Sequence, residues 1–262
     1  MKMKRWKFAA KVAAIHLLIS FLLALCVSWL VFSFWYPYPY GALAGGLALF
    51  FILIGVDVVC GPLLSFILSN PQKQRKELIL DLSLVVLIQL SALLYGLYSI
   101  EKARPVVVSF EGDRFAVVSK AQIDFDELAK APAGLQQLPS HGVMKIGIRK
   151  AQNEQEFFES IELSGKGLEP SLRPAWWRRY SEVEADVKNK MLPLAGKEQQ
   201  FPAELTAAID KTKLKVDELF YLPLTSELSQ NWIVLLDKNT QFVGYAPING
   251  FDFAEKINKE NK

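Results

Sequence analysis

The chain has 262 residues, a formal net charge of +3 and a hydrophobic content of 51%. The first hundred residues contain eight Lys or Arg and three Asp or Glu, whereas the remaining 162 contain 22 and 24. Neither part is basic enough to indicate a nucleic-acid-binding protein, and the weakly charged first part does not resemble a soluble domain.

Three apolar stretches are each long enough to cross a bilayer, which takes about 20 residues. The second is longer than a span needs, so we expect it to be tilted or irregular near its start. The stretches cover residues 12–34, 41–68 and 82–100. The sequence therefore predicts three parts: a cytoplasmic basic N-terminus at 1–11, a domain of three transmembrane helices at 12–100, and a further domain at 101–262.

The basic residues predict how the spans are oriented. Five lysines or arginines precede the first span and three lie between spans two and three, but the loop Trp35–Tyr40 has no charge. Under the positive-inside rule, the N-terminus and the second loop are cytoplasmic and the domain after residue 101 lies on the far side. The first apolar stretch is too long for a cleaved signal peptide, so we interpret it as an uncleaved anchor.

The domain after residue 101 alternates between strand and helix patterns. Two hairpins are predicted, at 106–118 and 232–246, with a further strand at 143–149 and helices at 153–163, 175–191 and 203–210. Because the strands come in local pairs, the fold class is a small α+β domain with an antiparallel sheet, following three transmembrane helices. The polar tail after Phe253 is expected to fray.

This domain offers little for catalysis. Its one histidine, His141, lies in a predicted turn, and no HExxH motif, P-loop or metal-spaced His and Cys cluster is present. Cys26 and Cys60 lie in predicted spans, so the domain cannot form an internal disulfide. We predict no catalytic, cofactor or metal site, and therefore a protein that is not an enzyme.

Asp57 is the only charged residue between Gly41 and Leu68. A centrally placed aspartate costs roughly 2.5 to 3.5 kcal/mol on insertion scales, so such a residue is expected to have a partner or a function. It could be protonated and hydrogen-bonded to a neighbouring helix, paired with a cation from another span or protein, or part of an ion path. The spans contain few other polar groups, which argues against the ion path.

Gly61 and Pro62 follow Asp57 by one helical turn. Proline removes the hydrogen bond to the carbonyl of Val58, and glycine loosens the same turn. A freed carbonyl beside a carboxylate would form a polar notch in an apolar surface. Gly41, Gly45 and Gly46 would let another helix approach closely. Because three spans are too few to bury the notch well, this pattern favours an external partner at Asp57, Gly61 and Pro62.

The segment Trp176–Tyr180 has the most unusual composition of the second domain. One interpretation is the start of a helix with one aromatic residue in the core and solvated arginines. The other is a surface patch of Trp176, Trp177 and Arg178 that contacts lipid headgroups or a protein partner, because Trp, Tyr and Arg are enriched at such surfaces.

A series of short motifs, most dense between residues 30 and 120, resembles a known family. In order, they include Trp35-Tyr36-Pro37-x-Pro39, Gly45-Gly46, Val56-Asp57, Gly61-Pro62-Leu63-Leu64, Gln89-Leu90, Tyr95-Gly96, Arg104-Pro105-Val106 and Asp113-Arg114-Phe115. The chain is similar in these motifs to type IV pilin accessory proteins of the TfpX/TfpZ kind. Ser65 stands where we expect threonine in that family, which keeps a hydroxyl group.

The resemblance implies a non-enzymatic protein of the bacterial inner membrane with a periplasmic second domain. Its expected partners are the major type IV pilin, other pilus assembly components of that membrane and the lipid bilayer, and its expected role is in pilus assembly or the balance of extension and retraction. Our hypothesis is that Asp57 accepts the positive amino terminus of the pilin or shares a proton with a pilin glutamate. The alternatives are a membrane-anchored ligand sensor that signals through a partner and a membrane enzyme that modifies pilin.

Overall fold

The computed structural model describes residues 2–196 and 198–254, so the predicted fraying after Phe253 falls almost wholly outside the described residues. The chain forms two compact units. The membrane unit comprises the chain up to Gly41 and Gly45–Ala103, and the second unit comprises Ala42–Ala44 and the chain from Arg104 onward. Each unit has its own packing and is described by itself.

Three long helices form the membrane unit. They are α1 (Lys2–Leu30), α3 (Gly46–Leu68) and α4 (Arg75–Ala103); a π-helical turn, Val31–Trp35, continues α1, and a short helix, α2 (Tyr40–Leu43), precedes α3. All three long helices are apolar and long enough to cross a membrane. The predicted three spans are therefore confirmed, and they mark a membrane-anchored protein.

The second span is irregular at its start, as its length predicts. Gly45 has a left-handed backbone with φ of 69° and separates α2 from α3. The next residue, Gly46, lies against the ring of Tyr36, where any larger side chain would overlap that ring. At Gly46 the close approach is therefore made by an aromatic side chain and not by another helix. The Tyr36 hydroxyl donates a hydrogen bond of 2.9 Å to the carbonyl of Ile100.

Helix α3 packs against both α1 and α4, which make few contacts with each other. Both neighbours run antiparallel to α3. A salt bridge of 2.6 Å joins Lys73, in the loop, to Asp81 of α4. The Lys73 ammonium also donates to the carbonyl of Leu68 at the end of α3. Lys73 therefore connects the end of α3 to the start of α4, and it balances the charge of Asp81.

The second unit contains one mixed sheet. Its strands are β1 (Pro105–Phe110), β2 (Phe115–Ser119), β3 (Met144–Ile148), β4 (Trp177–Arg179), β5 (Leu192–Pro193), β6 (Phe220–Thr225), β7 (Trp232–Leu236) and β8 (Phe242–Ala246). The order is β4-β3-β1-β2-β6-β7-β8, and β5 also pairs with β6. Its helices are α5 (Phe125–Leu128), α6 (Glu154–Gly165), α7 (Tyr180–Lys190) and α8 (Ala203–Thr212).

The predicted α+β class and both hairpins, β1–β2 and β7–β8, are confirmed. The sheet is not wholly antiparallel, however, because β1 pairs with β3 and β2 pairs with β6 in parallel. Local hairpin signals show only pairs adjacent in sequence. The parallel pairs join strands that are separated by intervening helices and loops, so no local pattern reveals them.

Strand β6 lies in the middle of the sheet, although the sequence does not predict it. Pro223 interrupts its apolar pattern, and proline normally argues against a central strand. Pro223 faces Ile233 of β7 on one side. On the other side, β5 pairs with Phe220 and Tyr221, and β2 pairs with Leu224 and Thr225. Pro223 therefore falls in the gap between these two partners, and on that side no described strand pairs with it.

Candidate functional site

The candidate site begins with three residues on one face of α3. Asp57, Gly61 and Ser65 are spaced four residues apart, and all three are buried. Side chains at this spacing lie above one another on a helix, and the stripe spans roughly 12 Å at about 1.5 Å per residue. Asp57 has 11 residues before it and 11 after it in α3, so its carboxylate lies at the middle of the span.

Two residues of the stripe, Asp57 and Ser65, line a half-open groove between α1, α3 and α4, with a volume of about 250 Å³. Most of the lining is apolar. The polar groups of the groove are His16 and Ser20 from α1, Asp57 and Ser65 from α3, and Gln89 from α4. The three helices therefore bring together residues that are far apart in the sequence.

Gln89 connects α4 to the Asp57 turn. Its side-chain Nε2 donates a hydrogen bond of 2.9 Å to the main-chain carbonyl of Asp57. The side-chain amide lies directly over Gly61, where a Cβ atom would overlap it. Gly61 is therefore required for this contact. The Oε1 of Gln89 is buried, and no hydrogen-bond donor contacts it among the described residues.

The predicted notch at Gly61 and Pro62 is present in a modified form. Pro62 lies within α3, which runs without interruption from Gly46 to Leu68, and its missing N–H leaves the Val58 carbonyl without its helical donor. The side chain of Gln89 donates its hydrogen bond to the carbonyl of Asp57, which precedes Val58 by one residue. Gly61 thus admits a side chain from α4, a role that its sequence context alone does not reveal.

Nearer the end of the stripe, His16 contacts Ser65. The Nδ1 of His16 and the Oγ of Ser65 are 2.6 Å apart, and Ser65 is fully buried. This contact joins α1 to α3. On the predicted orientation, it lies closer to the cytoplasmic side than Asp57 does, because α1 begins and α3 ends at that side.

The carboxylate of Asp57 is the charged group at the centre of the groove. The residue is 9% exposed. Within the part of the chain that the structure describes, its carboxylate makes neither a hydrogen bond nor an ion pair; the bond from Gln89 goes to its main chain instead. A buried acid in this setting favours a donor or a cation that enters the groove from outside.

The second predicted cluster, Trp176, Trp177 and Arg178, does not begin a long helix. Residues 177–179 form strand β4, which pairs with β3, and α7 begins only at Tyr180. Trp177 is 1% exposed, and its Nε1 donates to the carbonyl of Ser171 at 2.8 Å. Trp177 therefore belongs to the core.

The other two members of that cluster remain accessible. The ring of Trp176 is partly exposed, and the guanidinium groups of Arg149 and Arg173 lie 4.3 Å and 4.5 Å from its centroid. Arg178 is exposed and forms an ion pair of 3.1 Å with Glu182. His141 lies in an exposed loop, as predicted.

Sequence reasoning missed that His16, Ser65 and Gln89 converge on the Asp57 face. The four-residue spacing from Asp57 through Gly61 to Ser65 is a signal that could have identified the α3 part of the groove. The positions of His16 and Gln89 carry no comparable signal, because they depend on the registers of α1 and α4 against α3.

Comparisons with known proteins give one consistent result. A sequence model of the family described as "Fimbrial assembly protein FimB" matches residues 4–45. Two relatives from Dichelobacter nodosus, the fimbrial assembly proteins of serogroups E1 and I, are 42% and 41% identical over 96% of this chain and the full length of each relative. The fimbrial assembly protein of serogroups C1 and C2 from the same organism is 52% identical over 50% of this chain and its own full length. No solved structure matches this chain.

Proposed function

We propose that this chain, which belongs to the fimbrial assembly protein family, acts in the assembly of type IV fimbriae by binding the transmembrane helix of the major pilin. In this proposal the protein is a binding protein and not an enzyme. It lies in the bacterial inner membrane with its N-terminus in the cytoplasm and its second unit in the periplasm. The sequence motifs support the pilin as the partner and the likeness to the TfpX/TfpZ proteins. The groove of the membrane unit supports a binding site for a helix of that partner.

The observation that carries the proposal is the half-open groove with an unsatisfied carboxylate at its centre. Its apolar lining suits the side chains of a membrane helix, and the Asp57 carboxylate suits a donor or a cation on that helix. A protein that only anchored the second unit would gain nothing from a buried acid at mid-membrane. A partner that supplies a charge or a donor offsets the cost of keeping it there.

The size of the groove limits how a helix can bind. An α-helix with its side chains is about 10 to 12 Å across, so a volume of about 250 Å³ cannot enclose one. The partner helix must therefore lie across the open side and insert individual side chains between α1 and α4. Such an arrangement can release the partner sideways into the bilayer, as delivery to a growing fibre requires.

The two polar positions of the groove lie at different depths. Asp57 is at mid-span, and the His16–Ser65 contact lies roughly 12 Å closer to the predicted cytoplasmic side. The resemblance to pilin accessory proteins implies a pilin helix with a charged amino terminus and a glutamate near that side. We propose that Asp57 receives the amino terminus or shares a proton with the glutamate, and that His16 provides a second polar contact to the same helix.

The experiment replaces Asp57 with Asn, which keeps the shape of the side chain and removes its charge. We expect several-fold less pilin to co-purify with Asp57→Asn and fewer surface fimbriae, because a charge-assisted contact in a low-dielectric site is lost. The measurements are pilin recovered with the tagged protein after detergent extraction and surface fimbriae counted by electron microscopy, at equal protein levels in immunoblots.

Asp81→Asn is the matched control. It makes the same chemical change in the same unit, but Asp81 pairs with Lys73 and does not line the groove. It should leave pilin recovery and fimbriation at wild-type levels. If Asp57→Asn also behaves like the wild type in both measurements, the pairing at Asp57 is wrong.

A further inference from the structure

Helix α6 of the second unit presents three of its four large apolar side chains to solvent, and only Leu163 is half-buried. It begins after Asn153, whose side chain accepts a hydrogen bond from the main-chain N–H of Glu156. No residue of α6 is buried. Its attachments are polar: Glu156 binds the guanidinium of Arg149 through both carboxylate oxygens, at 2.9 Å and 2.5 Å, and Ser160 accepts a bond of 2.7 Å from Arg173.

The outward face of α6 carries three large apolar residues. Phe157, Phe158 and Ile161 are 53%, 66% and 54% exposed. With Leu168 they make up four of the six exposed large apolar side chains in the described part of the second unit; Phe125 and Leu228 are the others. A concentration of apolar surface of this kind on an otherwise polar domain marks an interaction site.

A shallow groove of about 610 Å³ runs along this face. Phe157 and Ile161 form one wall, and Ile148, Pro170 and Trp176 contribute to the other. The indole of Trp176 is held by the guanidinium groups of Arg149 and Arg173. Arg149 is itself fixed by Glu156, so the groove has one aromatic wall that is already ordered before a partner binds.

The charges of α6 indicate which kind of partner fits. The helix contains four glutamates and no basic residue. Glu156 is neutralised by Arg149 and Glu162 by Lys166, but Glu154 and Glu159 form no ion pair within the described residues. Lys150 also lines the groove, so one positive charge stands against the two unpaired carboxylates and the balance of this surface remains acidic. This charge disfavours an anionic lipid surface and the α6 of a second copy. A protein segment with apolar side chains between lysines or arginines would be attracted.

We propose that the α6 surface, defined by Phe157, Phe158, Ile161, Trp176, Glu154 and Glu159, binds the globular part of the fimbrial subunit at an apolar segment flanked by basic residues. The identity of this partner rests on the proposed function, whereas the surface is separate from the membrane groove. The protein would then hold the subunit at two places, one in the bilayer and one outside it.

The test uses the purified full-length protein in detergent and, as the probe, the globular part of the major fimbrial subunit without its transmembrane helix. We expect Phe158→Ser to weaken binding by about tenfold or more, as truncation of an aromatic interface residue does. Phe125→Ser is the matched control, because it removes another exposed phenylalanine that lies outside the surface, and it should bind like the wild type. Glu159→Lys should weaken binding, whereas Glu204→Lys in α8 should not.

Several outcomes would overturn the proposal. They are no binding of the globular part, equal binding by Phe158→Ser, loss of binding to phosphatidylglycerol vesicles on Phe158→Ser, or a dimer that this substitution dissociates. Asp57→Asn separates the two proposals, because it should leave binding of the globular part unchanged. If the globular part binds through Phe158 while Asp57→Asn has no effect on pilin recovery, the groove proposal fails and this one stands.

Discussion

Two glycines of α3 have opposite surroundings, although both lie within one and a half turns of Asp57. A Cβ atom on Gly61 would overlap the side-chain amide of Gln89, but a Cβ atom on Gly55 would meet nothing within 4 Å. The hydrogen bond from Gln89 to the Asp57 carbonyl depends on the first of these glycines and not on the second. Alanine substitutions at the two glycines can therefore be compared to separate the effect of packing against Gln89 from the effect of glycine on helix stability.

We expect Gly61→Ala to be less stable than Gly55→Ala by roughly 1 kcal/mol, because the new methyl group displaces the flexible end of Gln89 and removes its hydrogen bond to the Asp57 carbonyl. Gly55→Ala should be neutral or slightly stabilising, because alanine favours a helix. The measurement is the thermal unfolding midpoint of the full-length protein in detergent. Equal midpoints for the two variants would show that the Gln89 contact does not constrain this position.

At the scale of elements, α6 is attached to its domain by charged and polar contacts in addition to the half-buried Leu163. The Arg149 hydrogen bonds, together with the main-chain N–H of Gln152, lower the pKa of Glu156 from 4.5 to about 2. Because the pKa is lower in the folded state, the attachment contributes stability above pH 4.5 and loses that contribution as the pH falls towards 2. The attachment of α6 therefore depends on an ionised Glu156.

We expect Glu156→Gln to increase hydrogen exchange of the α6 amides, measured by mass spectrometry at matched pH. The difference from the wild type should be largest at about pH 5 and above and should shrink as the pH falls from 4.5 towards 2, because the wild-type carboxyl then takes up its proton. Glu159→Gln is the control on the same helix, since among the described residues Glu159 accepts a bond only from Gln155. An equal increase in both variants would contradict the role of the Arg149 pair.

At the scale of the whole molecule, the orientation of the spans decides where each proposed surface operates. The basic residues predict that the loop between α3 and α4 is cytoplasmic and that the second unit is exported. Both the delivery of a pilin helix and the binding of its globular part require this arrangement, because a pilin has its helix in the membrane and its globular part on the exported side.

We expect alkaline phosphatase, which is active only after export, to be active when fused after Phe253 and inactive when fused after Gln72. The two fusions differ in the number of preceding spans, which is three for the first and two for the second. Equal protein levels in immunoblots are the control. The reverse pattern of activity would show that the topology is inverted and that the α6 surface lies in the cytoplasm.

The sequence by itself determined the features that depend on local composition and spacing. Hydropathy identified the three spans, the isolation of Asp57 singled out the residue that the structure places at the middle of α3, and alternating patterns identified both hairpins. Each of these inferences needs only neighbouring residues, which is why they agree with the structure.

Only the tertiary structure decided what depends on contacts between distant segments. The registers of α1 and α4 bring His16 to Ser65 and Gln89 to Asp57, and the gap between β5 and β2 is where Pro223 lies in a central strand. The outward apolar face of α6 follows from its polar contacts with Arg149 and Arg173, which override the usual preference for burying phenylalanine. These arrangements depend on packing and electrostatics across the whole fold, so no single stretch of the sequence predicts them.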